Sequence, residues 1–312
     1  MSTATLPSAR SRRRGIRGAG GGWAPYVFLT PFVVLFLVFL VAPIITALYT
    51  SLFTVERSGL GFGNENASIF VGLENYRRAL SNQGFVASFG RVLLFGVVQV
   101  PIMLALATGL ALLFDSAVVR WKRFFQLAVF IPYAVPTVVA ALLWGFLYQP
   151  RVSPLVSGLE AIGLDIAFLA PGTVLWSIAN VTTWSVTGVN MIIIFAALQT
   201  VPRDIYEAAR IDGARELRVA LQIKLPMVLP AIFLTLLFSI IGTLQLFNEP
   251  MTLRSITSNV TGDFTPNMAV FSTTTLGGNL NLGSAMAILL GLVTFALSIL
   301  VSVLSNRRKG GS

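Results

Sequence analysis

Side chains able to do acid, base or ionic chemistry are few in this chain. They are densest in one stretch, VPRDIYEAARIDGARELRVALQIKLPMVLP (residues 201–230), where Asp204, Glu207, Asp212 and Glu216 alternate with Arg203, Arg210, Arg215, Arg218 and Lys224. Such a set can pair with a charged partner, but little else in the chain would let it catalyse. Cysteine and histidine are both absent, which removes disulfides, thiolate nucleophiles, the usual zinc ligands and the proton shuttle best suited to neutral pH. None of the three lysines (Lys122, Lys224, Lys309) closes a GxxxxGK[ST] phosphate loop, so energy for any driven process must come from outside the chain.

A second set is polar without being charged. It lies inside apolar runs: NVTTWSVTGVN at 180–190, then Ser239, Thr243 and Gln245. Hydroxyls and amides beside Trp or Tyr suit a sugar, whose hydroxyls pair with the polar groups while its apolar face stacks on a ring. Small polar residues also glue membrane helices together, and that reading stays open for each Ser and Thr.

The elements that must position these residues are long and apolar. The chain is 55% hydrophobic and 11% charged, with a mean hydropathy of +0.81, which makes the bilayer its solvent. Six windows without a charged residue are long enough to cross: about 26–52, 92–114, 124–148, 173–201, 225–248 and 280–305. The expected fold is therefore all-α and polytopic, with six transmembrane helices. No spanning strands are expected, because those read as short alternating segments. The first window is too long for a signal-peptide core and has no clear cleavage site, so it is read as a retained span after a flexible basic tail at 1–22.

Basic residues set the orientation. With the N-terminus inside, the cytoplasmic segments hold five Lys/Arg in the tail, three after the second span, five after the fourth and three at the end, against six outside. Both termini are expected in the cytoplasm. The net charge of +10 reflects this distribution and not nucleic-acid binding, since the bases are not interleaved with exposed aromatics. Pro101, Pro132, Pro136, Pro230 and Gly242 predict kinks, with IPYAVP the densest site. No Asp, Glu or His falls within a span, which counts against a proton-coupled carrier. A sodium-coupled carrier using carbonyls and hydroxyls stays open, as does a membrane scaffold with no solute path.

The polar stretch itself reads as a helix over 204–211, a reversal at Gly213, a second short helix over about 214–222, and a new membrane helix pre-set by Pro226. Taken alone, a charged loop is most simply a solvated face. However, the residues Glu207, Ala208, Ala209, Gly213, Ile223, Leu225 and Pro226 resemble, with matching spacing, the signature loop of membrane subunits of binding-protein-dependent ABC importers. The longer forms EAARIDGA and IKLPMVLP are similar to the sugar-permease branch, the family of the maltose and glycerol-phosphate transporter subunits. VGLENYRRAL from Val71, IPYAVP from Ile131 and LQLFNEPMTL from Leu244 extend the resemblance over most of residues 23–308. Ala220 departs from it, standing where an aromatic residue is frequent.

The resemblance implies a type I ABC importer permease fold in a prokaryotic cell membrane, with a transmembrane domain at 23–308 and a cytoplasmic coupling loop at 202–226 inside it. It also implies a second homologous permease, two ATPase subunits, and an extracytoplasmic solute-binding protein received on the outer segments 53–91 and 249–279. ATP and Mg would be held by the ATPase, and this chain would need no cofactor, metal or catalytic residue of its own. Glu207 would face a basic group of the ATPase; Asp212 would do the same or stabilise the turn. Arg215 and Arg218 would be solvated or lipid-facing. Solute contacts are implied at Tyr133, Thr137, Thr182, Trp184, Ser185, Ser239 and Thr243, beside Gln245. A di- or oligosaccharide is the expected solute; glycerol phosphate is the alternative, although the spans offer no Arg or Lys for an anion.

Overall fold

In water-free hydrocarbon a chain this apolar must satisfy its backbone within each segment, and helices do so. The structure, a computed structural model, describes residues 23–56, 67–116, 119–150 and 152–309. The basic tail and the outer Arg57 and Arg151 lie outside them. The chain divides into two units, residues 1–46 and 47–312.

In the first unit, helix α1 (Ala24–Phe36) runs through a π turn at Leu37–Val41 into the start of α2 (Ala42–Ser51). The hydroxyls of Thr30 and Thr46 donate to carbonyls four residues earlier, Tyr26 at 2.7 Å and Ala42 at 2.9 Å, so neither is left bare in the apolar run.

The second unit adds a short antiparallel hairpin, β1 (Phe53–Glu56) and β2 (Ala67–Phe70), with Phe53 opposite Phe70. Helices α3 (Glu74–Ser81) and α4 (Gln83–Asp115) follow. The amide of buried Asn75 donates to the carbonyls of Ser51 and Phe53, 2.8 Å each, so the VGLENYRRAL element pins the turn after α2. Asn82 caps α4 by accepting from the Phe85 amide at 3.0 Å. Helix α4 begins nine residues before the uncharged window; at 33 residues it is about 50 Å long, more than the hydrocarbon thickness, and its N-terminal turns carry Arg91.

The third expected span is broken. Helices α5 (Lys122–Ala134) and α6 (Thr137–Leu147) meet at 97° across Val135 and Pro136. Pro136 pushes Val135 into an extended conformation (φ −76°, ψ 127°), which ends α5. After α7 (Pro154–Ala161) comes α8 (Val174–Leu198), the central helix of this unit. Helices α9 (Arg203–Ile211) and α10 (Glu216–Val219) form the polar stretch. A π turn at Ala220–Lys224 then leads without a break into α11 (Leu225–Leu244), so the second short helix is the first turn of the fifth span and not a separate element. Pro226 does not restart the helix: it lies two residues beyond the π turn, whose widened ladder gives a proline ring room. The same spacing recurs where Pro43 follows the first π turn. Helices α12 (Asn248–Leu253) and α13 (Pro266–Phe271), a third π turn at Ser272–Leu276, and α14 (Leu280–Lys309) complete the described chain.

Among the described residues five helices are long and apolar enough to cross a membrane, or six if the bent α5–α6 pair counts as one span. One core cluster packs Ala107, Ala111 and Phe114 of α4 against Met191, Ile194 and Leu198 of α8, with Val228 of α11. Close approach depends on small residues. A Cβ on Gly188 would stand 2.1 Å from the Val129 carbonyl oxygen, so α5 and α8 touch through backbone there. Gly188→Ala is expected to destabilise the protein by roughly 1–3 kcal/mol, as overpacking does. The check is a lower midpoint in thermal unfolding of the detergent-solubilised protein, with Gly291→Ala, where a Cβ meets nothing within 4 Å, as the control.

Candidate functional site

The polar arm is built by its turn. Asp212 ends α9, Gly213 follows in the left-handed region (φ +79°), and the chain folds back on two bonds. These run from the Ala214 amide to the Ala209 carbonyl (2.9 Å) and from the Gly213 amide to the Arg210 carbonyl (3.0 Å). This is the Schellman closure that a glycine at that position allows. Across the turn Arg210 Nη2 meets Glu216 Oε1 at 2.5 Å; both side chains are half exposed, so the pair contributes at most about 1 kcal/mol. Arg218 donates to Gln222 at 2.9 Å.

Glu207, Ala208, Asp212 and Gly213 are exposed, while Ala209, Ile223 and Leu225 are half-buried and Pro226 is exposed. Among the described residues the Asp212 carboxylate makes no hydrogen bond to the turn. Arg215 and Arg218 are exposed, and Ala220 sits half-buried in the π turn.

Behind the arm lies an ion pair that sequence reasoning missed. Lys224 Nζ is 2.5 Å from Asp115 Oδ2, with side-chain exposures of only 7% and 12%. Gln199, which caps α8, donates to the other oxygen of Asp115 at 2.9 Å. The Lys224 ammonium also stands 4.7 Å from the centre of the Tyr206 ring. The Tyr206 hydroxyl is buried without a hydrogen-bond partner. Its pKa is raised above the usual phenol value by burial first and the Asp115 charge second, so it stays protonated throughout the neutral range. Removing one member of a buried pair strands the other charge, at about 3–5 kcal/mol.

The uncharged polar set converges elsewhere, on a cavity of about 490 Å³ between α4, the α5–α6 break, α8 and α11. Six of the expected residues line it: Tyr133, Thr137, Thr182, Ser239, Thr243 and Gln245. Trp184 and Ser185 do not. Trp184 lies edge-on to Trp144 (5.9 Å, 75°) in a cluster with Ala140, Tyr148 and Val181, and Ser185 is buried on α8 with its hydroxyl unpartnered.

Gln99, Asn190, Asn248 and Glu249 also line the cavity, and sequence reasoning had not assigned them. The signals available were Gln99 lying one turn before Met103 in an apolar run, Asn190 closing the polar run at 180–190, and the NE of LQLFNEP. Thr182 and Ser239 spend their protons on helix carbonyls (Ile178, 3.1 Å; Thr235, 2.7 Å). They therefore present oxygen lone pairs to the cavity. A larger groove of about 840 Å³ lies on the other side of Gln245, but it is open and mainly apolar.

With this geometry the chain can be compared with known proteins. Residues 101–309 match the family model described as binding-protein-dependent transport system inner membrane component. The chain belongs to that family. The permease is 31% identical over 220 residues to the sn-glycerol-3-phosphate transport system permease protein UgpA of Pectobacterium atrosepticum, covering 70% of this chain and 72% of that protein. Over 293 residues it is 29% identical to the arabinooligosaccharides transport system permease protein AraP of Bacillus subtilis, covering 92% and 90%. Its fold matches a chain of a bacterial ABC transporter involved in the import of the acidic polysaccharide alginate, with a TM-score of 0.77, 20% identity, and coverage of 91% of this chain and 96% of that one.

The turn of the arm is the part most exposed to test. Gly213→Val forces a branched side chain into the left-handed region at about 1–2 kcal/mol, whereas Gly213→Asn is tolerated there. Uptake by cells expressing the permease with its partner subunits is expected to fall severalfold with valine and stay near the wild-type rate with asparagine.

Proposed function

We propose that the permease forms half of the membrane pathway of an ATP-driven importer that carries a neutral di- or oligosaccharide into the cytoplasm by alternating access. The observation that carries this reading is the convergence of Tyr133, Thr182, Asn190, Ser239 and Gln245, from three separate helical segments, on one cavity beside Phe95 and Phe238. Hydroxyl and amide oxygens there accept from sugar hydroxyls, and the rings cover an apolar sugar face. Among the described lining residues Glu249 is the one charged side chain, and a carboxylate repels an anion. That favours a neutral sugar over glycerol phosphate, the second reading, which rests on the names of several relatives.

In this reading the chain catalyses no reaction. ATP and Mg are bound by two separate ATPase subunits, a second homologous permease completes the pathway, and an extracytoplasmic binding protein delivers the solute to the outer segments. Both termini face the cytoplasm, so the arm at 202–226 does as well. Glu207 and Asp212, exposed on that arm, pair with basic groups of the ATPase, and closure of the ATPase pair displaces the arm. Two short helices closed by a tight turn, one of them continuous with α11, transmit that displacement better than a flexible loop.

The test is uptake by the reconstituted complex. Labelled neutral oligosaccharides are expected to accumulate on ATP addition and glycerol 3-phosphate is not; the reverse preference would reject the neutral-sugar reading. Glu207→Lys is expected to abolish uptake and uncouple ATP hydrolysis while leaving membrane insertion intact, and normal uptake would reject the assignment of Glu207.

A further inference from the structure

The buried pair behind the arm joins elements far apart in sequence. Asp115 is the last residue of α4, Lys224 the last residue of the π turn before α11, Gln199 the residue that ends α8, and Tyr206 lies on α9 next to Glu207. All four meet within a few ångströms, through the 2.5 Å ion pair, the 2.9 Å amide bond and the 4.7 Å ring contact. All four line a cavity of about 460 Å³ together with Glu207 and Arg210. Farther along, α4, α8 and α11 are the helices that carry Gln99, Thr182, Asn190, Ser239 and Thr243 to the solute cavity.

We propose that the Asp115–Lys224 pair is the fulcrum of the permease: it holds the arm to the inner ends of α4, α8 and α11, so that a displacement of the arm turns these helices together. This rests on the ATP-driven reading above and names the positioning residues that reading lacks. The physical reason is direction. An apolar contact is non-directional and lets helices slide, whereas a buried ion pair with an added amide donor fixes distance and angle on one carboxylate. Lys224 also sits inside the π turn between α10 and α11, so a push on α10 reaches α11 through the backbone and α4 through this side chain. The pair is little exposed, with the Tyr206 ring against the ammonium, so its attraction is less screened than that of the exposed pairs on the arm.

The experiment uses the complete reconstituted complex and measures ATP hydrolysed per solute imported, with assembly followed by size-exclusion chromatography. In Lys224→Met and Asp115→Asn combined, both charges are gone and the side-chain volumes are nearly kept, so no stranded charge drives misfolding. This double variant is expected to assemble with its basal ATPase rate intact, yet to hydrolyse at least tenfold more ATP per solute. Tyr206→Phe, which keeps the ring over the ammonium, is expected to stay within threefold of wild type. Normal coupling in the double variant would overturn the proposal, because the pair would then be structural only. Failure of the double variant to assemble would overturn it too, by making the pair a folding requirement. Absence of ATP-dependent uptake in the wild-type complex would instead reject the underlying reading, so the two failures are distinguishable.

Discussion

Every backbone amide and carbonyl that enters hydrocarbon must be bonded within its own segment or to a neighbour, and the rest of this structure follows from that constraint. Long helices are the consequence, and so is the way their interruptions are managed. Pro43 and Pro226 each sit just beyond a π turn whose widened ladder accommodates the carbonyl that proline would otherwise crowd. Pro136 instead follows an extended Val135, and there the chain bends by 97°. That bend is productive: it brings Tyr133 and Thr137, from opposite sides of the break, to the wall of one cavity.

With the backbone closed, function is left to side chains at two depths. Around the cavity the polar groups are mostly hydroxyls and amides, of which Thr182 and Ser239 spend their donors on helix carbonyls and offer oxygen atoms. Where α4, α8 and α11 meet the arm, the charges pair instead. The exposed ones on the arm suit a partner, and the two buried ones suit a fixed joint. The division is electrostatic: an unpaired charge is tolerable where water reaches it and expensive where water does not.

How much of this was legible in the sequence depends on how local each signal is. The uncharged windows located the apolar helices to within a few residues, apart from the N-terminal turns of α4 up to Arg91, which are more polar and so carry no continuous apolar signature. Gly213 marked the turn because only the local backbone conformation decides it. The α5–α6 break was signalled by the two prolines of IPYAVP, though its angle was not. Continuity of α10 with α11 was hidden, since Pro226 looks like a start when the π turn before it is unknown. The Asp115–Lys224 pair was invisible for a different reason: its members are 109 residues apart and read separately as helix-end charges. Trp184 shows the converse, a ring on a polar helix that faces Trp144 and not the cavity. Helical phase, not residue type, decides which side chains of α8 reach the cavity.

The central claim of the account is that the arm carrying Glu207 lies on the cytoplasmic side in the grip of an ATPase. Because the chain has no cysteine, Glu207→Cys introduces a single thiol that can be addressed alone. A membrane-impermeant maleimide is predicted to label it in inside-out vesicles and not in right-side-out ones, and a short bifunctional thiol cross-linker is predicted to join it to the ATPase subunit in the intact complex. Labelling from the outer side, or a fully reactive thiol that never cross-links to the ATPase, would contradict the account.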